Sequence, residues 1–355
     1  MVLQLRYNRV CIEAWAHTLP NEIVSTEQIE SRLSPLYDRL KLPLGRLELM
    51  TGIRERRFFP AEERPSRVSA ETGRKAIAMT SIVPASIGAL IHGSVCRDCL
   101  EPATACAVHR QLDLPTACAV YDVSNACLGL LNGIIQAANM IELGQIKAAL
   151  VVGTENGRQL VESTIAALNA DLSLDRKQIK TAFASLTIGA GSAAVVLVDR
   201  SLSRHGHRLL GGAMLARTDH CDLCRGDHVA GSPEKALLME TDSEALLREG
   251  IAAATGAFDG FLDALSWRRD AINRTFCHQV GKAHHRLLFE SLGLDPGIDF
   301  ATYPTLGNTG AVALPMTVAC GIEQAPPRQG DRVALLGIGS GINVVMLGID
   351  WGTNQ

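Results

Sequence analysis

Four short, continuous apolar runs place the strongest restriction on how this 355-residue chain can fold. The runs are residues 86–91, 117–123, 147–153 and 192–198, and helical patterns lie at residues 127–143 and 243–258. A strand that is apolar along its whole length is covered on both faces, so helices must lie on each side of the sheet that these strands form. The alternation predicts an α/β protein built in layers.

The second half of the chain repeats this rhythm less regularly. It predicts a helix over about Ser243–Phe258, a short strand near Arg274–Cys277, a helix over Lys282–Leu292 and strands across residues 332–349. Charge and glycine follow a buried strand at residues 199–212, which we therefore expect to separate two related halves, 1–200 and 201–355. Residues 158–182 are rich in charged and amide side chains and predict an exposed helical excursion on the first half.

Charge and composition argue against several classes of partner. Thirty-four Lys plus Arg oppose 37 Asp plus Glu, so there is no basic excess to neutralise nucleic acid or an anionic bilayer. Two uncharged stretches, 123–141 and 333–349, are long enough to test as membrane spans. The first contains several Ser, Asn and Gln side chains, and the second is interrupted at Gly337, Gly339 and Gly341. Both are therefore expected to be buried in a soluble core instead.

Ten cysteines could form the disulfide framework of a secreted protein. A secreted protein should begin with a basic segment and a continuous apolar stretch. Residues 1–13 do not have this form, because Arg6, Asn8, Arg9 and Glu13 interrupt every short apolar run. We therefore expect a cytoplasmic protein with reduced thiols.

Cys127 lies where the strand-like run ends and a long apolar helix begins. The free N–H groups and positive dipole end of a helix stabilise a thiolate, which makes this position suitable for a nucleophile. The small residues Ala126 and Gly129 would let a substrate carbonyl approach closely. The alternative is an inert core cysteine, the usual role of a buried thiol.

Two polar residues at the ends of other predicted elements could act together with this cysteine. His278 follows a strand-like run, and Asn308 lies in a loop that leads into an apolar helix. A histidine and an asparagine can donate two N–H groups to a thioester oxyanion or an enolate. Taken singly, each has another interpretation, as a hydrogen-bonded core histidine or as a helix-capping asparagine.

The succession of four motifs resembles the condensing enzymes of the thiolase superfamily. The motifs are NACLG at 125–129, HQ at 278–279, GNTGAVALP at 307–315 and GIGSGIN at 337–343. The chain is most similar to ketoacyl-ACP synthase III and to OleA-type enzymes, from about Gly52 onward. The resemblance implies a thiolase fold, with two related halves in five αβαβα layers, and a homodimer.

The resemblance also implies a role for each motif residue. Cys127 would take an acyl group from a thioester, and His278 with Asn308 would bind the oxyanion of the second substrate. The backbone N–H groups of Cys127 and Ser340 would hold the acyl carbonyl. Taken alone, GIGSG could be a nucleotide-binding turn, but a strand follows it where a dinucleotide fingerprint needs a helix.

Glu101, in the RDCLEP run at 97–102, bears on which branch of the superfamily the chain resembles. OleA-type enzymes have a glutamate at this place that reaches the active site of the partner subunit. A non-decarboxylative Claisen condensation needs such a base, provided that an apolar pocket raises the basicity of the carboxylate. Pro102 suggests that Glu101 lies at a helix N-terminus, where it could equally be a solvated or capping residue.

The implied reaction joins two fatty acyl-CoA molecules, giving a 2-alkyl-3-oxoacyl product or its β-keto acid. Acyl-CoA or acyl-ACP would be the substrate, with no permanently bound cofactor, and acyl carrier protein or downstream pathway enzymes would be further partners. The alternatives that keep the fold are decarboxylative condensation with malonyl-ACP and acyl transfer to an alcohol or amine.

A second class of function is a zinc-stabilised binding module without catalysis. The sequence contains two Cys-x-x-Cys pairs with zinc-ligand spacing, with two histidines beside the second pair: Cys96 and Cys99, then Cys221 and Cys224 with His220 and His228. We expect these pairs not to bind metal, because the segment around Cys224 also resembles OleA-type sequence.

Two groups of basic residues receive an ordinary interpretation. Arg54, Arg56 and Arg57 could contact the phosphates of CoA, but we expect them to be solvated. His284 and His285 are expected on the solvent side of their helix.

Overall fold

A computed structural model describes residues 2–228 and 237–352. The strands are β1 Leu3–Arg6, β2 Val10–Thr18, β3 Glu22–Ser25, β4 Glu55–Phe58, β5 Ala89–Gly93, β6 Ala119–Val123, β7 Ala148–Asn156, β8 Ala190–Asp199, β9 His207–Ala216, β10 Cys224–His228, β11 Leu237–Thr241, β12 Arg274–Cys277, β13 Arg332–Gly339 and β14 Asn343–Asp350. The α-helices are α1 Thr26–Arg32, α2 Ser34–Leu40, α3 Arg46–Thr51, α4 Pro65–Ala78, α5 Thr104–Gln111, α6 Gly129–Glu142, α7 Arg158–Ala170, α8 Ser243–Leu265, α9 Lys282–Leu292, α10 Tyr303–Leu306 and α11 Ala313–Gln324.

Ten of these strands form one sheet that consists of two groups. The first group runs β2-β8-β7-β5-β6, and the second runs β12-β13-β14-β9, with β1 paired to β9. The groups meet through a short pairing of β2 with β9, in which Cys11 lies opposite Arg208 and Ile12 opposite His207. Because only this short pairing joins the groups among the described strands, each group has two faces of its own, and different helices can cover them.

The helices complete five layers. Side chains of α6 and α11 pack with strands of both groups in one buried cluster, so these two helices lie between the groups. Helices α4 and α5 cover the outer face of the first group, and α8 and α9 cover the outer face of the second. Successive side chains of β7 point to opposite faces of the sheet, so that Leu150 faces α4 and Val151 faces the central helices. This αβαβα order confirms the predicted fold.

Most predicted elements are present, with small shifts at their ends. The four apolar runs correspond to β5, β6, β7 and β8, and the short strand Arg274–Cys277 and the helix Lys282–Leu292 have the predicted bounds. The excursion at 158–182 is α-helical through Ala170 and forms a short 3-10 helix at Gln178–Ala182, and one face of α7 is buried. The division of the chain at residue 200 stays a prediction.

The central strand β2 was not predicted, because Glu13 interrupts its apolar run. The carboxylate of Glu13 is buried and accepts hydrogen bonds from the Ser203 hydroxyl at 2.8 Å and the Arg204 N–H at 3.0 Å. A buried acidic group is tolerated when such donors satisfy it. Those donors are distant in sequence, so the local pattern contains no sign of them.

None of the described helices is long and apolar enough to cross a membrane. The stretch at 123–141 instead lies mainly in α6, inside the central layer.

The packing of α6 on β5 gives a first testable prediction. A Cβ added to Gly93 would lie 2.5 Å from the Cα of Leu130, a backbone atom that cannot move aside cheaply. We expect Gly93→Ala to lower the free energy of unfolding by about 1–3 kcal/mol, as overpacking does. Urea unfolding followed by circular dichroism measures the change.

The matched control is Gly256→Ala on the exposed side of α8, where the new Cβ would meet only ordinary contact at 3.9 Å. This substitution should leave stability unchanged or raise it by roughly 0.5–1 kcal/mol, since alanine favours helix. Equal effects of the two substitutions would contradict the packing argument.

Candidate active site

Cys127 lies in a tight turn between the end of β6 and the start of α6. The N–H of Leu128 donates to the carbonyl of Asn125 at 2.8 Å, and Ala126 has a left-handed φ of 43°. A Cβ on Gly129 would lie 3.1 Å from the carbonyl oxygen of Val123, so the absence of a side chain keeps the turn close. The turn places the half-buried thiol at the N-terminal end of α6, as the sequence predicted.

The late glycine-rich turn lies directly against this thiol. The backbone amides of Ser340 and Cys127 both act on the sulfur of Cys127 and favour its charged form, so they lower the pKa of this thiol. A Cβ on the neighbouring Gly339 would lie 3.7 Å from the Cβ of Cys127. Two amides that converge on the sulfur are well placed to stabilise negative charge on an acyl group bound to it.

Three asparagine side chains connect the two turns. Asn343 Nδ2 donates to Asn125 Oδ1 at 3.3 Å, and Asn125 Nδ2 donates to Asn132 Oδ1 at 2.8 Å. Asn343 follows the glycine-rich turn, Asn125 precedes the cysteine and Asn132 is on α6. Their hydrogen bonds therefore hold the turn that contains Ser340 at a fixed position relative to the turn that contains Cys127.

The resting cysteine is a thiol. Burial raises the pKa of Cys127 to about 12, with Cys224 and Glu155 adding to the shift, while the amides of Ser340 and Cys127 oppose it. A preformed thiolate, which the helix N-terminus suggested, is therefore not the resting state. The thiol has to lose its proton as it attacks a substrate.

His278 follows β12, and Ser340 follows the neighbouring strand β13. Because the two strands are parallel, both residues lie at the same edge of the sheet. The His278 N–H donates to the carbonyl of Leu336 at 2.9 Å, and its side chain is 2% exposed. Burial, aided by His284, lowers the pKa of His278 to about 3, so the imidazole is neutral at neutral pH.

A buried network fixes the backbone around His278. Gln279 donates to the carbonyl of Phe300 at 2.6 Å and accepts from the N–H of Thr302 at 2.8 Å. Asp299 accepts hydrogen bonds from Thr275 at 2.9 Å and from Cys277 at 3.3 Å. These contacts flank the histidine on both sides in sequence, so its backbone has a fixed place.

Asn308 is held by its backbone and by its side-chain oxygen. Its N–H donates to the carbonyl of Thr187 at 2.9 Å, and its carbonyl accepts from Gly189 at 2.8 Å. The Oδ1 atom accepts from the N–H of Gly310 at 3.0 Å. This last bond fixes the orientation of the amide and leaves its NH₂ group to donate elsewhere.

Glu101 is not in the same place as these groups. It is exposed and lies three residues before α5, which begins at Thr104, so the prediction of a helix N-terminal position is wrong. Its neighbour Leu100 is 92% exposed. Of the sequence-predicted residues, the structure thus brings Ser340 against Cys127 and places His278 at the same sheet edge as Ser340, whereas Glu101 is exposed.

The ordinary interpretation of the basic residues needs correction. Arg56 is 0% exposed and donates to Thr26 at 2.9 Å and to the carbonyl of Leu186 at 3.0 Å, so it is structural and not solvated. Arg57 is half-buried and donates to a backbone carbonyl, whereas Arg54 is exposed. Neither His284 nor His285 faces solvent fully, and His285 pairs with Asp299 at 3.0 Å.

The two Cys-x-x-Cys pairs do not form a ligand cluster within residues 2–228 and 237–352. Cys96 accepts a hydrogen bond from the N–H of Asn156 at 3.4 Å, and Cys99 and Cys221 are exposed. The side chain of His228 lies outside the described residues. A different group, Cys277 with His285 and Asp299, does bring possible ligand atoms within 4.8 Å of one another.

Glu155 is a residue of the site that sequence reasoning missed. It is 6% exposed, and its charge acts on the thiol of Cys127. Burial raises the pKa of Glu155, and hydrogen bonds from Val95 and Cys96 oppose the shift. Its position just after the apolar run 147–153 was the available signal, because polar residues at strand ends often serve a site.

A five-layered αβαβα fold, with a cysteine at the start of a central helix and a glycine-rich turn against it, is characteristic of condensing enzymes of the thiolase superfamily. Residues 49–188 match the family described as thiolase, N-terminal domain. Residues 262–351 match the family described as 3-oxoacyl-[acyl-carrier-protein (ACP)] synthase III C terminal.

Whole-length relatives place the chain more closely. It is 41% identical to an acyl-CoA:acyl-CoA alkyltransferase of Shewanella oneidensis, covering 98% of this chain and 100% of the relative. It is 33% identical to the protein of the same name from Xanthomonas campestris pv. campestris, covering 97% and 99%. The chain therefore belongs to the acyl-CoA:acyl-CoA alkyltransferase family.

Solved structures agree with this assignment. Cerulenin-bound OleA of Xanthomonas campestris has a TM-score of 0.92 and 33% identity, covering 98% of both chains. A cysteine-to-serine form of that OleA with bound lauric acid and lauroyl-CoA has a TM-score of 0.91, covering 97% of this chain and 100% of the other.

Proposed function

We propose that this protein is a cytoplasmic homodimer that joins two acyl-CoA molecules by non-decarboxylative Claisen condensation. The single observation that carries the proposal is whole-length membership of a family whose members are named for that reaction. The outward-facing Glu101 supports it, because a base for the second substrate is the group that a decarboxylative enzyme does not need.

The first half of the reaction is acyl transfer to Cys127. The sulfur attacks the thioester carbonyl of the first acyl-CoA, and the amides of Cys127 and Ser340 stabilise the oxyanion that forms. The bond from the carbonyl carbon to the CoA sulfur then breaks. CoA leaves as the thiol, carrying the proton that Cys127 has lost, and an acyl-cysteine remains.

The second half forms the carbon–carbon bond. A second acyl-CoA binds with its thioester oxygen on His278 and on the NH₂ group of Asn308, which stabilise the enolate as it forms. Glu101 of the partner subunit removes the α-proton. The carbanion attacks the acyl-cysteine, the carbon–sulfur bond breaks, and the thiolate of Cys127 recovers a proton. The product is a 2-alkyl-3-oxoacyl-CoA, which water can hydrolyse to the β-keto acid.

A neutral His278 suits this role. Since its pKa is lowered to about 3, the ring donates a hydrogen bond without carrying a positive charge at neutral pH. The donor therefore keeps the same protonation state while the charge on the substrate changes.

The direct test offers purified wild-type protein myristoyl-CoA as the only acyl donor. We expect an acyl adduct by intact-protein mass spectrometry, and a long β-keto acid or its decarboxylated ketone in the extract. A parallel reaction contains myristoyl-CoA with malonyl-ACP. If condensed product forms only in that parallel reaction, the enzyme is decarboxylative and the proposal is wrong.

A further inference from the structure

The segment that carries Glu101 is anchored on both sides of an exposed tip. We call residues 94–103 the arm; it connects β5, which ends at Gly93, to α5, which begins at Thr104. Leu100 and Glu101 at its tip are exposed, whereas Ser94 at its start is buried. In a segment of this form, the contacts at its two ends determine how far the tip extends from the sheet.

The first anchor attaches the start of the arm to the end of β7. The two carboxylate oxygens of Glu155 accept hydrogen bonds from successive backbone groups, the N–H of Val95 at 2.8 Å and that of Cys96 at 3.1 Å. The Ser94 hydroxyl donates to the carbonyl of Thr154 at 2.6 Å. Glu155 therefore fixes the direction in which the arm leaves the sheet.

The second anchor attaches the middle of the arm to α4. Asp98 accepts from the N–H of Ser66 at 2.9 Å and from its hydroxyl at 2.5 Å. The N–H of Asp98 donates to the hydroxyl of Thr104 at 3.2 Å, which joins this anchor to the start of α5. Only the tip, residues 99–103, lies between the two ends that Asp98 and α5 hold.

The chemical type of these anchors is informative. Glu155 is buried, and none of the salt bridges among the described residues includes it. Burial of a carboxylate without a cation is costly unless donors are provided, and here the arm's own backbone provides them. The side chain of Glu155 also lies close to the turn that contains Asn308. A Cβ added to Gly310, two residues after Asn308, would lie 3.3 Å from Glu155 Cγ.

We propose that Glu155 and Asp98 are positioning residues that hold the arm so that Glu101 reaches the active site of the partner subunit. This inference rests on the proposed function, in which Glu101 acts across the dimer. It adds that two carboxylates in one subunit determine the position of Glu101 in the active site of the other subunit. A misplacement of about 1 Å in a reacting group can reduce a rate by roughly 10²-fold.

The test uses heterodimers that contain one complete site. The arm subunit has Cys127→Ala and an intact Glu101, and the nucleophile subunit has Glu101→Ala and an intact Cys127. Neither homodimer should condense, so two affinity tags and sequential purification give a species whose activity comes from one known site. Condensation of myristoyl-CoA and acylation of Cys127 are measured separately.

Asp98→Ala or Glu155→Gln is then added to the arm subunit. We expect condensation to fall at least tenfold through kcat, with acylation of the other subunit's Cys127 within twofold of the parent. Asp98→Ala in the nucleophile subunit, whose arm serves the inactive site, should leave condensation within twofold of the parent. This matched placement also shows that the substituted subunit folds and dimerises.

The possible results are distinguishable. Equal losses in both placements of Asp98→Ala would mean a general structural role, and no loss with either substitution in the arm subunit would mean no role. Either result overturns the inference. An inactive parent heterodimer alongside active wild type would instead contradict the proposed function, because Glu101 would not act across the dimer.

Discussion

Cys127→Ala is expected to abolish both the acyl adduct and the condensed product. The sulfur is the only atom of the site proposed to bond to the substrate, so its loss should lower kcat by on the order of 10⁶-fold, the scale seen when a covalent nucleophile is removed. Intact mass after incubation with myristoyl-CoA measures the first effect, and product extraction measures the second.

Cys106→Ala on α5 is the matched control, because that cysteine is exposed and lies outside the site. It should behave as wild type in both assays. An acyl adduct on the Cys127→Ala protein would show that another residue takes the acyl group.

Glu101→Ala is expected to separate the two half-reactions. Acylation needs only Cys127 and its amides, so the adduct should form at the wild-type rate. Condensation should fall by about 10²–10⁴-fold, the usual contribution of a general base. Glu101→Gln should resemble Glu101→Ala, since an amide of the same shape cannot accept the α-proton.

The control is Glu62→Ala, which removes another exposed glutamate outside the arm. It should leave both half-reactions within twofold of wild type. If Glu101→Ala condensed myristoyl-CoA normally, the base would be elsewhere in the site, and the buried Glu155 would be the first residue to test.

The sequence predicted the helices and strands well wherever an element is buried by its neighbours along its whole length. The strands β7 and β8 and the helix α6 are apolar runs of this kind, and a local pattern is enough to find them. It failed at β2, whose Glu13 is satisfied by Ser203 and Arg204 from far along the chain. A short window cannot show that a charged group will meet its partners.

The same limit explains the errors among polar residues. Arg56 looks like an exposed cation, yet it is buried against Thr26 and Leu186. The motifs found the turns around Cys127, His278 and Asn308, because each motif is contiguous. Glu155 belongs to no sequence motif. Its role depends on hydrogen bonds from Val95 and Cys96, which lie in the loop after β5 and are distant in sequence.

The helix that begins beside Cys127 occupies the central layer, and its inward positions pack against strands of both groups. Close packing on two sides means that this helix cannot slide or tilt unless both sheets rearrange with it. The start of this helix, and with it the sulfur of Cys127, therefore has a position that both groups of strands determine together. The proposed point of covalent attachment thus depends on the packing of the whole molecule and not on one loop.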